Sequence, residues 1–344
     1  MFHHHAIHAA ARQLAAVAAL LLLAFAGMAS AQDSRPAPAS ADNAVTADPS
    51  GWLQTSTPSG RIDIDNPFFA SLGSNGRSCD SCHRQAEGWT ISAAEVRERF
   101  RQSNGTDPIF ALVDGAVSPL ADVSSVYARR IAYAMLLKRG VLRIGMPMPA
   151  HAEFRLTAVD DPYGYASARE LSLFRRPLPA TNLIWDTAVM WDGRETFAPF
   201  KPPMDAGIDI GDIDASLASQ ARDAILGHEQ AGSVPDAAVI DRIVEFESHL
   251  FTAQSIDRQA GRLNDDGGMG GASILGQQRF WVGINDTFDN DPTGEPFDPR
   301  AMRLFDSWND PRASLSRDPR DRARAAIARG EQLFNHMPID ISGV

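Results

Sequence analysis

Cys79-Asp80-Ser81-Cys82-His83 is the stretch of sequence that decides how this chain is interpreted. It has the form C-x-x-C-H, which is the pattern of covalent c-type haem attachment. Two thiols three positions apart on one turn can reach the two vinyl groups of a haem and form thioethers. The next residue, His83, is then held beneath the iron as its proximal ligand. The chain has no other cysteine, so the pattern predicts one covalent haem c.

Two other chemistries use the same cysteine spacing. A thioredoxin-type redox pair normally lies in a βαβ unit, and the sequence predicts no such unit here. A structural zinc site needs four ligands, usually from two such cysteine pairs. A redox disulfide, half of a zinc site and a chance occurrence therefore remain as alternatives to haem attachment.

Length and composition are those of a globular protein. The chain has 344 residues, of which 44% are hydrophobic and 22% are charged, so it can bury large cores without disulfide staples. Its formal net charge is -11, whereas nucleic-acid-binding proteins usually carry a basic patch and a high isoelectric point. We therefore expect no nucleic-acid partner.

The N-terminus is typical of a secretory signal. Arg12 precedes an apolar run over 14–29, and Ala29-Ser30-Ala31 has the small residues that a signal peptidase accepts. The run of about 16 residues is shorter than the roughly 20 that span a bilayer, which favours a cleaved signal over an uncleaved anchor. We expect a signal peptide over 1–31, a flexible lead-in over 32–58, and a periplasmic mature protein with no membrane attachment.

Helical signals dominate the mature chain. Ser92-Ala93-Ala94-Glu95 is a capping box, and Lys138-Arg139-Gly140 is typical of a helix end. Further helices are predicted to begin near Asp214, Asp236 and Asp318. Long segments rich in proline and glycine separate the helices, and no alternating strand pattern of useful length is found. The predicted class is mostly α, with much irregular loop.

The sixth ligand of the iron separates electron transfer from ligand chemistry. A histidine or methionine there gives an electron carrier, whereas an open position lets peroxide bind. One candidate pair is Met146 and Met148 in a rigid Gly-Met-Pro-Met-Pro run, and another candidate is His228, which faces Ala221 and Ala224 on its helix. The methionines can equally be a hydrophobic plug, and His228 can be a surface or structural histidine. Further candidates are His151, Met190 and Met269.

A second candidate cofactor is calcium. Residues Asp289-Asn290-Asp291-Pro292-Thr293-Gly294 match the first half of a calcium-binding loop. The twelfth position is Arg300, where an EF-hand needs a bidentate glutamate. A calcium site is therefore an alternative to a plain acidic turn.

Two segments downstream of the cysteine motif resemble the bacterial di-haem cytochrome c peroxidase and MauG superfamily. They are Arg175-Arg176-Pro177-Leu178-Pro179-Ala180-Thr181-Asn182-Leu183 and Met190-Trp191-Asp192-Gly193-Arg194-Glu195. Their order after C-x-x-C-H and their separation agree with that family. The resemblance covers most of residues 60–344, and the combination of segments is more specific than any one of them.

The resemblance implies cytochrome c-like helical domains with long irregular loops around a covalently bound haem. We expect a peroxidatic-type N-terminal haem domain over 59–315 and the start of a second cytochrome c-like domain over 316–344, where Arg329 to Asn335 resembles that domain's first helix. No second C-x-x-C-H follows, so the sequence is interpreted as truncated before the second haem motif. A natural mono-haem relative is the alternative.

The resemblance also implies roles for individual residues. Trp191 matches the family's tryptophan between two haems, and Gln220 matches a distal-pocket glutamine. The family's catalytic glutamate falls near Glu229 or Gln230. His228 lies in the same place and is expected to replace that acid–base group or to ligate the iron. The expected site residues are catalytic His228, Glu229, Gln220 and Trp191, haem-binding Cys79, Cys82, His83, Arg176 and Arg194, and iron-binding His83, His228, Met146 and Met148.

The function that this resemblance implies is reduction of hydrogen peroxide. Electrons are expected from a small donor protein, either a cytochrome c or a cupredoxin. A plain electron-transfer cytochrome and a MauG-like oxidation of a partner protein are the alternatives. Family members are often dimers, so a homodimer is a further expectation to test.

Overall fold

A computed structural model describes residues 45–167, 169–186, 188–196, 213–278 and 303–338. The expected signal peptide and the calcium-loop candidate at Asp289 lie outside these ranges. The described helices are α1 (Ala93–Ser103), α2 (Val126–Ala132), α3 (Ala134–Arg139), α4 (Ile213–Gly227), α5 (Ala237–Ser248), α6 (Ala272–Leu275) and α7 (Pro319–His336). The described strands are β1 (Val45–Ala47), β2 (Gly51–Ser56), β3 (Leu142–Met146), β4 (Leu171–Arg175), β5 (Phe251–Asp257) and β6 (Gly261–Arg262).

The prediction of a mostly α, cytochrome c-like helical protein is wrong. The described strands form one antiparallel sheet in the order β1-β2-β5-β6 and a second, two-stranded antiparallel sheet of β3 and β4. The described part of the chain is therefore a mixed α/β structure. Residues 45–56, expected to belong to the flexible lead-in, supply β1 and β2.

The local sequence does not predict these strands, because pairing with distant segments stabilises them. Strand β5 has the sequence Phe-Thr-Ala-Gln-Ser-Ile-Asp, with no alternation of buried and exposed positions. It pairs with β2, about two hundred positions earlier, from Ser56 opposite Phe251 to Gly51 opposite Asp257. Strand preference depends strongly on such cross-strand neighbours, which a local pattern does not contain.

Two of the predicted helix ends, at Ser92 and Gly140, are confirmed by their caps. The Ser92 hydroxyl accepts a hydrogen bond from the Glu95 N–H at 3.1 Å at the start of α1. Gly140 ends α3 in the left-handed conformation, which glycine adopts without steric cost. The helix predicted to end there is divided at Tyr133, whose hydroxyl donates to the Phe110 carbonyl at 2.6 Å. No described helix has the length and apolar character to cross a membrane.

Two large apolar cores enclose the cysteine motif. Helices α4 and α5 pack with Phe68 and Trp89 in the first core, and α1 to α3 pack with Ile109 and Phe110 in the second. Cys79 contacts the first core and Cys82 contacts the second. The motif therefore lies at the junction of the two cores, where both thiols are held by packed side chains.

Helix α7, expected to begin a second domain, packs on a third and smaller core. Ala328 of α7 contacts Leu263 and Trp308 there. The Arg324 guanidinium donates to the Ala260 carbonyl at 3.0 Å and lies over the Trp308 ring. The start of the expected second domain is thus packed against the segments that precede it.

A close backbone approach at Gly73 gives the first prediction. A Cβ on Gly73 would lie 1.8 Å from the Glu229 carbonyl oxygen, which the Ser74 N–H also contacts at 3.0 Å. Because backbone must move to admit a methyl group, we expect Gly73→Ala to lower the free energy of unfolding by about 3 kcal/mol, measured by urea denaturation. Gly330→Ala on α7 is the control, since nothing lies within 4 Å of its Cβ position. The control should gain about 0.5 kcal/mol, and equal effects of the two changes would contradict the prediction.

Candidate functional site

A cavity of about 640 Å³ opens where the two large cores meet. Its volume lies within the roughly 300–1,000 Å³ that is usual for ligand and cofactor sites. Cys79, Cys82 and His83 all line the cavity, and so do His228 and Glu229. Residues from distant parts of the sequence are therefore brought together around one space.

The environment of the two thiols does not favour a redox pair. Cys79 begins a single 3-10 turn, Cys79–Ser81, and its thiol is not bonded to Cys82. Burial raises the pKa of Cys79 well above its usual value, with the carboxyl groups of Glu247 and Glu229 adding to the rise. Burial also raises the pKa of Cys82 to about 11. Redox-active C-x-x-C motifs depend on a lowered thiol pKa.

The ligands that a structural zinc site would need can also be examined around the cysteine motif. Among the described residues, no group of three or more His, Cys, Asp or Glu side chains is placed to hold a metal ion. A structural zinc site needs four such ligands.

His83 is oriented by the backbone of Trp89. The Nδ1 atom of His83 lies 3.0 Å from the Trp89 carbonyl oxygen, so Nδ1 carries the proton and Nε2 keeps the lone pair with which an imidazole binds a metal. Burial lowers the pKa of His83, which favours the neutral imidazole that metals bind. Trp89 has a φ of 63°, which is unusual for a bulky residue. Its buried ring is fixed by an Nε1 hydrogen bond to the Thr55 hydroxyl at 2.9 Å.

His228 lies at the end of α4, on the helix face that borders the cavity. The cavity wall includes Ala221 and Ala224 of that face, and Gln220 beside them. The Nδ1 atom of His228 lies 2.5 Å from the Asp114 carboxylate. The imidazole is 38% exposed, so a small molecule can reach the ring.

Asp114 is a buried carboxylate with two partners. Its Oδ2 accepts from His228, and its Oδ1 accepts from the Arg77 guanidinium at 2.5 Å. Burial alone would raise the pKa of Asp114, but the hydrogen bond from His228 and the charge of Arg77 outweigh it, so the pKa is lowered. A negative charge is therefore maintained beside His228.

Glu229 faces Cys79 in the cavity wall. Its Oε2 accepts from the Leu72 N–H at 2.8 Å, and its Oε1 lies 3.7 Å from the Cys79 sulfur. Burial raises the pKa of Glu229 to about 7, while the Leu72 hydrogen bond opposes the rise. Glu229 can therefore exchange a proton near neutral pH, although its contacts direct it toward the attachment turn.

Glu247 is a carboxyl group that sequence analysis does not identify. It lies on α5, is 5% exposed and borders the cavity. Its Oε2 has no hydrogen-bond partner among the described residues, and burial raises its pKa to about 8. Such a carboxyl is held in its neutral form at neutral pH.

The buried carboxyl gives a prediction about pH dependence. The folded pKa of Glu247, about 8, lies above its ordinary value of 4.5, so the folded state retains a proton that the unfolded state has lost. The free energy of unfolding should therefore fall as pH rises from 4.5 to 8. Glu247→Gln keeps the neutral shape, so we expect it to be more stable than the native chain by on the order of 4 kcal/mol at pH 8.

Near pH 4 the Glu247→Gln variant and the native chain should unfold alike in urea. Glu245→Gln is the matched control, because Glu245 lies exposed on the same helix. The control should leave the pH dependence unchanged. A native chain whose stability is flat between pH 5 and pH 8 would contradict the prediction.

The other expected site residues divide into two groups. Trp191 and Arg176 border the cavity, and the Trp191 indole donates to the Arg176 carbonyl at 2.9 Å. Trp191 is 60% exposed, so it lies at the surface and not in a core. Arg194 and Met146 contact each other at 3.7 Å. Neither of them belongs to the cavity wall, nor does Met148.

Sequence reasoning missed Arg77, Asp114 and Glu247. Asp114 precedes a glycine, which is typical of a turn, and no motif surrounds it. Glu247 lies within a helix of broad apolar face, where only its burial on the same side as Ile243 signals a role. Comparison with protein-family models, with curated proteins and with solved structures finds no match for this chain.

Proposed function

We propose that this chain is a periplasmic c-type haem protein that reduces hydrogen peroxide, with electrons from a small redox protein. The observation that carries the proposal is the meeting of Cys79, Cys82 and His83 with His228 around one cavity of about 640 Å³. The resemblance of its motifs to the di-haem cytochrome c peroxidase and MauG superfamily supports the same class. That family membership is part of the proposal.

The residues of the cavity fit a haem. Cys79 and Cys82 would form the two thioethers, and Nε2 of His83 would bind the iron. Arg176 is a cation in the same wall and suits a haem propionate. When bound, the haem supplies an iron that takes small ligands and exchanges electrons.

His228 is the acid–base group best suited to the reaction. With Nδ1 engaged by Asp114, its Nε2 can accept the proton of one peroxide oxygen and return it to the other peroxide oxygen. The Asp114 carboxylate stabilises the imidazolium in between. Conversion of one peroxide to two waters consumes two electrons from the donor protein and two protons from solvent. Trp191, exposed at the cavity wall, is an aromatic group suited to electron entry.

A plain electron carrier is the second candidate function. The contact between His228 and Asp114 also favours this function. A neutral imidazole whose Nδ1 is held by a carboxylate is a good metal ligand. If the Nε2 of His228 occupies the sixth position of the iron, peroxide cannot bind there. The two functions therefore differ in what His228 Nε2 contacts.

The test is a spectrum of the full chain, produced with its signal sequence in cells that attach c-type haem. We expect one covalent haem by the pyridine haemochrome method, a high-spin component in the ferric spectrum, and a rapid spectral change on adding peroxide. Oxidation of a reduced cytochrome c or cupredoxin should accompany turnover. A low-spin spectrum that peroxide does not change would support the electron carrier, and absence of covalent haem would contradict both functions.

A further inference from the structure

We infer that Asp114 is the residue that positions His228, and that Arg77 holds Asp114 in place for this task. The catalytic meaning of the inference rests on the proposed function. The geometry of Asp114, Arg77 and His228 does not depend on the proposed function, because these contacts are between side chains of the polypeptide alone.

Both oxygens of the Asp114 carboxylate are committed. One lies 2.5 Å from the His228 Nδ1 and the other lies 2.5 Å from the Arg77 guanidinium. Asp114 is only 2% exposed, so water does not compete for these positions. If the His228 ring turned away, a buried carboxylate would lose a partner, which is costly. The ring is therefore held with Nδ1 toward the buried Asp114 carboxylate, which leaves Nε2 available to the cavity.

Arg77 connects this pair to the attachment turn. It is 1% exposed and lies two positions before Cys79. Its guanidinium donates to the carbonyls of Pro108 at 2.8 Å and Ile109 at 2.6 Å, and to the His228 carbonyl at 3.3 Å. One side chain thus ties the segment that carries the cysteines, the loop that carries Asp114, and the end of α4. These contacts fix the side of the cavity that carries His83 relative to the side that carries His228.

The test is a double-mutant cycle in the full, haem-bearing chain with Asp114→Asn, His228→Ala and both together. We expect Asp114→Asn to alter the ferric haem spectrum and to slow the reaction with peroxide roughly 10- to 100-fold, the usual effect of losing a partner of this kind. In the His228→Ala background, Asp114→Asn should change neither readout further. Asp114→Glu, which keeps the carboxylate, should recover part of the loss.

The matched control is Asp107→Asn. Asp107 forms a buried ion pair with Arg99, with 2.6 Å between its Oδ1 and the guanidinium, and does not border the cavity. Its replacement should destabilise the chain without altering the haem spectrum or the peroxide rate. Equal effects of Asp114→Asn with and without His228, or equal effects of Asp107→Asn and Asp114→Asn on the spectrum, would overturn the inference.

A measurement that needs no haem separates this inference from the proposed function. In the full chain with ¹⁵N-labelled histidine and no haem attached, the shifts of His228 report which ring nitrogen holds the proton. We expect the proton on Nδ1 in the native chain, and loss of that preference in Asp114→Asn. A neutral ring with its single proton on Nε2 in the native chain would overturn the inference even if peroxide is reduced. A proton on Nδ1 would uphold it even if no haem is ever attached.

Discussion

Replacing Cys79 and Cys82 together with alanine should abolish covalent haem in the mature chain. Thioether formation needs the thiols, and the chain has no other cysteine that could substitute. The expected result is a fall from one covalent haem per chain to none. Haem staining after denaturing electrophoresis, together with a pyridine haemochrome count, measures the change.

Ser81→Ala is the control for this change because Ser81 lies between the cysteines. Its hydroxyl accepts from the Ser78 N–H at 3.0 Å, so the variant loses a bond of about 1 kcal/mol in the same turn. Both thiols remain, and covalent haem should still form. Haem staining that survives in the double cysteine variant would show that the cysteines do not attach a haem.

Replacing His228 with alanine should slow the reaction with peroxide by roughly 10²- to 10⁴-fold, the usual contribution of a positioned acid–base group. The reason is that no other imidazole of the described residues shares the cavity with His83. Stopped-flow spectroscopy of the ferric protein measures the rate. If His228 instead ligates the iron, the outcome reverses: the native spectrum is low-spin, and the variant becomes high-spin and gains reactivity toward peroxide.

His249→Ala is the matched control for His228→Ala. His249 follows α5 as His228 follows α4, and its Nδ1 lies 2.7 Å from the Glu245 carbonyl of its own helix. It is exposed and does not border the cavity. Its replacement should leave both spectrum and rate unchanged. A His228→Ala variant as unaffected as this control would exclude His228 from both roles.

The parts of this fold that sequence analysis predicts are those whose causes are local. Ser92 and Gly140 mark helix ends because the capping hydrogen bond and the left-handed backbone involve neighbouring residues. The cysteine motif is local for the same reason, since one turn carries both thiols and His83. The choice of His228 as a candidate likewise depends on its own helix, through the small residues at Ala221 and Ala224, and its role stays a prediction.

The parts that sequence analysis misses depend on distant partners. Strand β5 is defined by its pairing with β2, and its own residues carry no strand signal. Asp114 gains its role from Arg77 and His228, which lie 37 and 114 positions away in the sequence. Glu247 is distinguished only by burial beside the cavity. Non-local contacts of these kinds decide the mixed α/β class and complete the site.

The most direct test of the central claim is the intact mass of the mature chain under denaturing conditions. A c-type haem remains attached through its thioethers when the protein unfolds. We expect the mass of the polypeptide plus one haem, with Cys79 and Cys82 both resistant to alkylation. The mass of the polypeptide alone, with both thiols open to alkylation, would contradict covalent haem attachment. The motif would then be interpreted as a redox pair.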